Sequence, residues 1–366
     1  MIVITKDIAA ELGAYLSSHR HDRVFVLTDV NSRDKCLPLL ETALAAGIPG
    51  IPGAGRRETS PSGDVRYITI EAGDTHKDIK QVAAIWDVLS KNGASRNSLL
   101  VNVGGGMVTD LGGFAGATFK RGLHNLNIPT TLMASVDAAV GGKTGINFNG
   151  LKNEIGAFYQ PDCVMIDCTF LKTLDRDNLL SGYAEMIKHG LISNRESFDE
   201  VLTFDIERED LDIDRLNDLV GTSVKIKERI VTDDPKEFGI RKALNFGHTA
   251  GHALESLSFS RQNPILHGHA VAAGIISELY LSHKTCALPV KILRQVTNFI
   301  KEHYPAFTFS CDDYDTIYEY MTHDKKNEGG HICFTLLGDI GDIRINRIIK
   351  KDLILESLDF YRENMY

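Results

Sequence analysis

The sequence predicts an α/β fold in two parts: a Rossmann-like domain over 1–172, followed by an all-α domain over 173–366. Three observations predict it. Apolar strand-like runs alternate with helical patterns through the first half, which implies a parallel sheet covered by helices. Beyond residue 179 the periodicity is almost wholly helical. The length of 366 residues exceeds what one ordinary core organises.

The elements follow in order. Residues 23–28 (Arg-Val-Phe-Val-Leu-Thr) read as a buried strand and 34–46 as a helix. A second strand is expected at 67–70. A helix follows at 74–89, with Ile79, Val82, Ala83, Trp86 and Leu89 at helical spacing. Residues 98–103 form a third strand, followed at once by Gly104-Gly105-Gly106 and a further helix. In the second part, helices are expected at 179–192, 195–203, 211–232, 243–257, 267–286, 288–302, 312–322 and 350–362. A hairpin is expected at 331–346, turning between Gly338 and Gly341, and loops at Pro235 and Pro264 separate helices.

Composition narrows the function. Hydrophobic residues at 43% and charged ones at 24% suit a globular protein, and no apolar run is long enough to span a bilayer. The N-terminus lacks the pattern of a signal peptide. Six cysteines (36, 163, 168, 286, 311, 333) form no C-x-x-C pair, which predicts reduced thiols in a cytoplasmic protein. A net charge of −9 argues against nucleic acid as the partner but permits a local basic pocket.

Several residue sets carry chemistry. Glycines 104–106 between a strand and a helix can let backbone N–H groups approach a phosphate, and Asp29 at the end of the first strand is placed to reach a ribose hydroxyl or an adenine edge. Gly-Lys-Thr at 142–144 is not a Walker A loop, because Asp137 stands where that loop needs glycine. Lys143 and Lys152 flanking this glycine-rich stretch instead suggest a clamp for phosphate or carboxylate. In Asn245-Phe-Gly-His-Thr-Ala-Gly-His252, helical spacing places Arg241, Asn245, His248 and His252 on one polar stripe, opposite Ala243, Gly247, Ala250 and Leu254. Glu185, His248 and His267 are the candidate metal ligands, since two imidazoles and a carboxylate with an open position make a common catalytic zinc shell. His252 is an alternative third ligand or a proton carrier. His269 is a further candidate that a helix would turn away from His267. Lys188 lies one turn from Glu185, on its face.

The chain resembles the 3-dehydroquinate synthases, of the sugar phosphate cyclase family. The resemblance spans nearly its whole length and is densest over 104–270. It rests on Gly104-Gly-Gly-Met-Val-Thr-Asp-Leu-Gly-Gly-Phe114, Phe119-Lys-Arg-Gly122, Ile128-Pro-Thr-Thr-Leu132, Ser135-Val-Asp137, Val140-Gly-Gly-Lys-Thr-Gly145, Lys152-Asn-Glu-Ile-Gly156, Gly182-Tyr-Ala-Glu-Met-Ile-Lys188, Leu244-Asn-Phe-Gly-His248, Gly251-His-Ala-Leu-Glu255, Leu266-His-Gly and Asp324-Lys-Lys326. Three places depart from the family pattern: His269 replaces a common Glu, 147–151 replaces a His-Pro loop, and Asp74-Thr-His-Lys77 replaces Glu-x-x-Lys.

The resemblance implies a fold shared with glycerol dehydrogenases and an active site between the domains. It implies conversion of 3-deoxy-D-arabino-heptulosonate 7-phosphate to 3-dehydroquinate and phosphate. The steps are transient NAD-dependent oxidation, phosphate elimination, re-reduction and intramolecular aldol cyclisation. NAD and one divalent ion, Zn2+ or Co2+, are the implied cofactors, and a homodimer the implied assembly. Lys143, Asn153, Lys188, Lys227, Arg241, Asn245 and Lys326 match substrate-contacting positions. Arg121 and Lys152 match the phosphate pocket, with Arg121 coming from a second copy. His252 matches a proton-handling position, and Asp137 one that organises the metal side. Asp29, Asn31, Asp74, Lys77, Gly105, Gly106, Asp110, Thr130, Thr131, Lys143, Lys152, Thr169 and Thr173 match NAD positions. Another cyclase of the 2-deoxy-scyllo-inosose or epi-valiolone type is the alternative; Asn245 with His252, and Lys152 with Asn153, weigh against it. A metal-dependent polyol dehydrogenase would have little use for so many cations, and a catalytically dead binding protein would not need the intact metal set.

Overall fold

A computed structural model describes residues 1–46, 65–149, 151–323 and 331–366. The chain divides into two units, Met1–Leu174 with Asp212–Gly221, and Asp175–Leu211 with Thr222–Tyr366. Residues 212–221 join the first unit through the Lys6–Asp214 ion pair, the Asn217 amide donating to the Thr5 carbonyl, and Gly221 packing on Ile4.

The first unit is built on a six-stranded parallel sheet. Its strands are β1 (Ile2–Ile4), β2 (Val24–Asp29), β3 (Val65–Ile70), β4 (Leu99–Gly104), β5 (His124–Pro129) and β8 (Cys163–Ile166), in the order β1-β8-β5-β4-β2-β3. A separate antiparallel hairpin pairs β6 (Lys143–Phe148) with β7 (Leu151–Phe158). Alternation along the strands sends side chains to opposite faces. Val24, Val26, Val101 and Val103 pack with Leu12, Leu16 and Leu40 from α1 (Ile8–Ser18) and the segment after α2 (Val30–Lys35). Phe25, Leu27 and Leu100 pack with Val82, Ile85 and Leu89 of α4 (Ile79–Lys91) and Val108, Leu111 and Phe114 of α5 (Gly106–Thr118).

The helix expected over 34–46 is broken. After α2 come a 3-10 turn, Leu37–Leu39, and α3 (Glu41–Ala46). Pro38 has no N–H to continue the ladder. The helix expected from residue 74 starts instead at Ile79, because Asp78 caps it by accepting from the N–H groups of Lys80 and Gln81; Asp74–His76 form a separate 3-10 turn. Strands β1, β5 and β8, helix α1 and the β6–β7 hairpin complete the unit, and none was expected from periodicity.

The second unit is helical: α6 (Arg176–Ser193), α7 (Arg195–Thr203), the later part of α8 (Ile213–Asp233), α9 (His248–Ser260), α10 (His267–Cys286), α11 (Val290–His303), α12 (Tyr314–Thr322) and α13 (Lys351–Met365). The expected hairpin is present as β9 (Cys333–Asp339) and β10 (Asp342–Ile348). Helix α10 is central, packing on α6, α9, α13 and β9. Gly268 permits the tightest approach: a Cβ there would lie 1.8 Å from the Ser181 carbonyl oxygen, so the first turn of α10 rests on the backbone of α6. Among the described residues no helix is long and apolar enough to cross a membrane.

Candidate metal centre and nucleotide-binding face

Without the edge strand β1, the first sheet runs β3-β2-β4-β5-β8, so the chain order reverses between β2 and β4. In open α/β sheets ligands bind beyond the carboxyl ends of the strands at such a reversal. Asp29 ends β2 and Gly104 ends β4. Gly105 is the N-cap of α5 and has no side chain to satisfy the first-turn N–H groups. A Cβ on Gly105 would come within 3.1 Å of Thr131 Cγ2, and one on Gly106 within 3.0 Å of Ala138 Cβ. A bare, dipole-positive helix end at a sheet reversal fits a dinucleotide phosphate.

The other predicted nucleotide contacts cluster at the same strand ends. Thr130 and Thr131 follow β5; Thr169 and Thr173 lie in the 3-10 turn Cys168–Thr173 after β8. Asp29 caps α2, accepting from Ser32 N at 2.7 Å, with Asn31 exposed beside it. Thr169 donates to Asp167 and Thr173 to the Phe170 carbonyl.

A polar network ties the hairpin to this face. The buried ammonium of Lys77 donates to Asp110 Oδ2 and to Asn153 Oδ1. Asn147 N donates to the Lys77 carbonyl (2.7 Å), Asn147 Nδ2 to the Asp74 carbonyl (2.9 Å), and Asn153 N to Asn147 Oδ1 (3.0 Å). Lys152 pairs with Asp74 at 3.2 Å. Asn147 therefore makes the loop that departs from the family pattern a structural tie. Burial pushes the Asp110 carboxyl above its usual range, and the Lys77 ammonium opposes that shift. Lys143 opens β6, so Lys143 and Lys152 sit on the two strands of one hairpin. Arg121 is exposed, in a left-handed conformation (φ 67°) after Lys120 (φ 49°); Asp137 lies in the π turn Ala134–Ala138.

The metal set forms within the second unit. Glu185 is fully buried on α6, and its Oε1 accepts no hydrogen bond from the described residues. That oxygen lies 3.5 Å from His248 Nε2 and 3.8 Å from His267 Nε2. His248 Nδ1 faces the Phe246 carbonyl at 3.1 Å, and His267 Nδ1 faces Glu255 Oε2 at 3.2 Å. Those acceptors place the ring protons on Nδ1, which leaves both Nε2 atoms as lone-pair donors. Three lone-pair atoms converging at a buried carboxylate and a partly exposed imidazole fit a divalent cation with an open position, as two imidazoles and a carboxylate. His252 also belongs to the cluster: one ligand atom each from His248, His252 and His267 lie within 4.8 Å of one another. Glu185 Oε2 accepts from the buried Lys188 ammonium, so Lys188 neutralises the carboxylate edge turned away from the imidazoles.

The single polar helix expected over 243–257 is not what forms. Arg241 and Asn245 lie on a 3-10 turn, Ile240–Asn245; Gly247 turns the chain at φ 80°, and α9 begins at His248. The Asp234 carboxylate accepts from the N–H groups of Phe238, Gly239 and Arg241 at 3.0, 2.7 and 3.1 Å. Burial opposes its charge, but those backbone donors outweigh it and hold Asp234 below the usual carboxylate range. Asn245 donates to Glu237 (2.8 Å), and the buried Arg241 to the Pro235 carbonyl (2.6 Å).

His269 turns away from the cluster: its Nε2 lies 3.2 Å from the Asp177 carbonyl and its ring packs on Tyr304. Lys227 is buried on α8. Lys326 lies outside the described residues. Glu255, behind His267, was not singled out as a functional residue from the sequence. Its place one turn after the His252 position was the available signal.

Comparison with known proteins places these features. The chain matches the family models for the 3-dehydroquinate synthase N-terminal region over residues 67–181 and C-terminal region over residues 182–327. It is 63% identical over 363 residues to a 3-dehydroquinate synthase of Parabacteroides distasonis, covering 99% of this chain and 98% of that one. A Clostridium tetani 3-dehydroquinate synthase is 36% identical, covering 81% and 78% of the two chains. The 2-epi-5-epi-valiolone synthase structure from Streptomyces hygroscopicus, with NAD+ and Zn2+ bound, superposes with a TM-score of 0.85 at 25% identity, over 99% of this chain and 96% of that one. A 2-deoxy-scyllo-inosose synthase structure gives 0.82 at 21% identity, over 99% and 96%, and shares the fold.

Proposed function

The chain belongs to the 3-dehydroquinate synthase family, and we propose that it converts 3-deoxy-D-arabino-heptulosonate 7-phosphate to 3-dehydroquinate and phosphate. It is an NAD- and metal-dependent, phosphate-eliminating carbon–oxygen lyase. The observation that carries this reading is the convergence of Glu185 Oε1 with the Nε2 atoms of His248 and His267, in a chain so close to a 3-dehydroquinate synthase. When bound, NAD accepts and returns one hydride, and a divalent ion, Zn2+ or Co2+, polarises the hydroxyl being oxidised.

The chain's own residues bind, orient and move protons. Glu185, His248 and His267 hold the ion, and the Lys188 ammonium donates to the Glu185 carboxylate. Gly105 and Gly106 offer backbone N–H groups to the cofactor pyrophosphate. Asp29, Asn31, Asp74, Lys77, Asp110, Thr130, Thr131, Thr169 and Thr173 supply its remaining contacts, with Lys143 and Lys152. Lys143, Asn153, Lys227, Arg241, Asn245 and Lys326 meet substrate hydroxyls and carboxylate. Lys152 and Arg121 meet the phosphate, Arg121 from the second copy of a homodimer. His252, beside the metal cluster, carries protons, and Asp137 orders the metal side. A doubly anionic substrate explains why an acidic chain keeps buried cations. Thiols rather than disulfides suit a reducing cytoplasm.

The test is a phosphate-release assay with the heptulosonate phosphate, catalytic NAD and added metal. Phosphate should appear without net NADH absorbance, and a chelator should stop it. Stoichiometric NADH would instead make the protein a dehydrogenase. No release would point to another sugar or a dead enzyme. His248→Ala should stay folded while losing metal and activity.

A further inference from the structure

We propose that Glu278, which lies outside the metal shell, is the positioning residue that fixes His248 and couples the two histidine-bearing helices. It sits on α10, about three turns beyond His267. Its side chain is fully buried. Oε2 accepts from Gly247 N at 2.7 Å; Oε1 accepts from Thr249 N at 2.9 Å and Ala250 N at 3.2 Å. These donors are the open first-turn N–H groups of α9, the helix whose first residue is the metal ligand.

The arrangement follows from what residue 247 cannot be. The usual solution is a Ser, Thr, Asp or Asn at the N-cap. Here the N-cap is Gly247 at φ 80°, where a Cβ would meet Ile275 Cγ1 at 2.6 Å. No side chain fits, so the cap comes from another helix. Gly274 makes that possible, since a Cβ there would lie 2.0 Å from the Gly247 carbonyl oxygen. A buried carboxylate is costly unless hydrogen-bonded, and three N–H groups at the positive end of a helix dipole offset that cost.

The consequence reaches the site. Glu278 grips the backbone on both sides of His248, at 247 and at 249–250. The Phe246 carbonyl that orients the His248 ring belongs to the residue just before the grip. Because Glu278 shares α10 with His267, one carboxylate sets the helix of each imidazole against the other. A residue whose only role is helix stability would lower the melting temperature but leave the coordination geometry alone.

The inference rests on the metal assignment above, and the test separates the two. Apo protein is titrated with Co2+ and then with Zn2+ against a chromophoric chelator. Wild type should bind one equivalent and His248→Ala none; if wild type takes up no ion, the metal assignment falls. Glu278→Gln keeps the shape but loses the charge and cannot accept from all three N–H groups. It should remain folded by circular dichroism, bind Zn2+ about tenfold more weakly or worse, and show a shifted Co2+ d–d spectrum. Wild-type affinity and spectrum in a folded Glu278→Gln would overturn the proposal, whatever its melting temperature. Should that variant not fold, Glu278→Asp retains the charge on a shorter arm. The same spectral shift is then expected, and an unchanged spectrum would overturn the proposal.

Discussion

Glu255 Oε2 lies 3.2 Å from Nδ1 of His267, and Glu255 is itself buried on α9, seven residues after His248. One helix therefore supplies an imidazole directly and, two turns on, the carboxylate that orients the other imidazole. A carboxylate on Nδ1 fixes the proton there and raises the basicity of Nε2. Glu255→Gln should retain a hydrogen-bonding group yet weaken metal binding by about 10- to 100-fold. Metal content after dialysis against graded chelator measures this. Equal retention by variant and wild type would remove Glu255 from the site.

Gly268→Ala probes the docking of α10 on α6. The new methyl would overlap the Ser181 carbonyl, and because backbone rather than a flexible side chain is in the way, the helices must separate. Glu185 and His267 sit on those two helices, so the separation also pulls the ligands apart. A stability loss of about 3 kcal/mol is expected, read by chemical unfolding, together with weaker metal retention. Unchanged stability would mean that α10 and α6 do not meet backbone to backbone at Gly268.

Lys77→Met probes the network beneath the nucleotide face. It leaves Asp110 largely buried beside no ammonium, which should cost about 3 kcal/mol near neutral pH. Burial already raises the Asp110 pKa, and removing Lys77 raises it further. A carboxyl raised in the folded state destabilises above its unfolded value and ceases to do so as it protonates. The deficit should therefore shrink as pH falls toward about 4. Adding Asp110→Asn should restore most of the loss at pH 7; a double variant as unstable as the single one would contradict the pairing. NAD affinity should also fall, because Lys77 holds Asn153 and the hairpin.

How much of this was legible follows from the range of each interaction. Helix α10 was readable to its ends, because residues 270–281 are apolar except for Gly274, Ser277 and Glu278. Strand β4 and the start of α5 were readable because Leu99, Leu100, Val101 and Val103 mark a buried strand and Gly104–Gly106 mark its end. Glu185, His248 and His267 were readable as ligand types, and the geometry brings them together. The single stripe from Arg241 to His252 failed at Gly247, whose positive φ is set by α10 rather than by its neighbours in sequence. The break at Pro38 was available and outweighed by helical spacing around it. The β6–β7 hairpin stayed hidden because Phe148, Leu151, Ile155 and Phe158 are exposed, so its apolar residues do not mark a core. Glu255 and Glu278 act through partners 12 and up to 31 residues away, which no periodicity reports.

Acid sensitivity should trace in part to His21. Its ring stacks on Tyr15 and meets His124 edge-on at 5.0 Å between centroids. Burial, and then the neighbouring His124, push its pKa below 6.5; the Asn97 backbone and Asp162 oppose this more weakly. The unfolded chain takes up a proton near pH 6.5 that the folded chain resists. Stability should therefore be intact above that pH and decline as pH falls below it, by at most about 1.4 kcal/mol per pH unit for this group. His269 is lowered by burial in the same sense and adds to the decline. His21→Phe keeps an aromatic ring against Tyr15 and His124 but cannot be protonated. Its melting temperature should fall less than that of wild type between pH 7.5 and 5.5, with the residual slope left to His269 and other groups. Parallel melting curves for the two proteins across that range would show that His21 is protonated as readily in the folded chain as outside it.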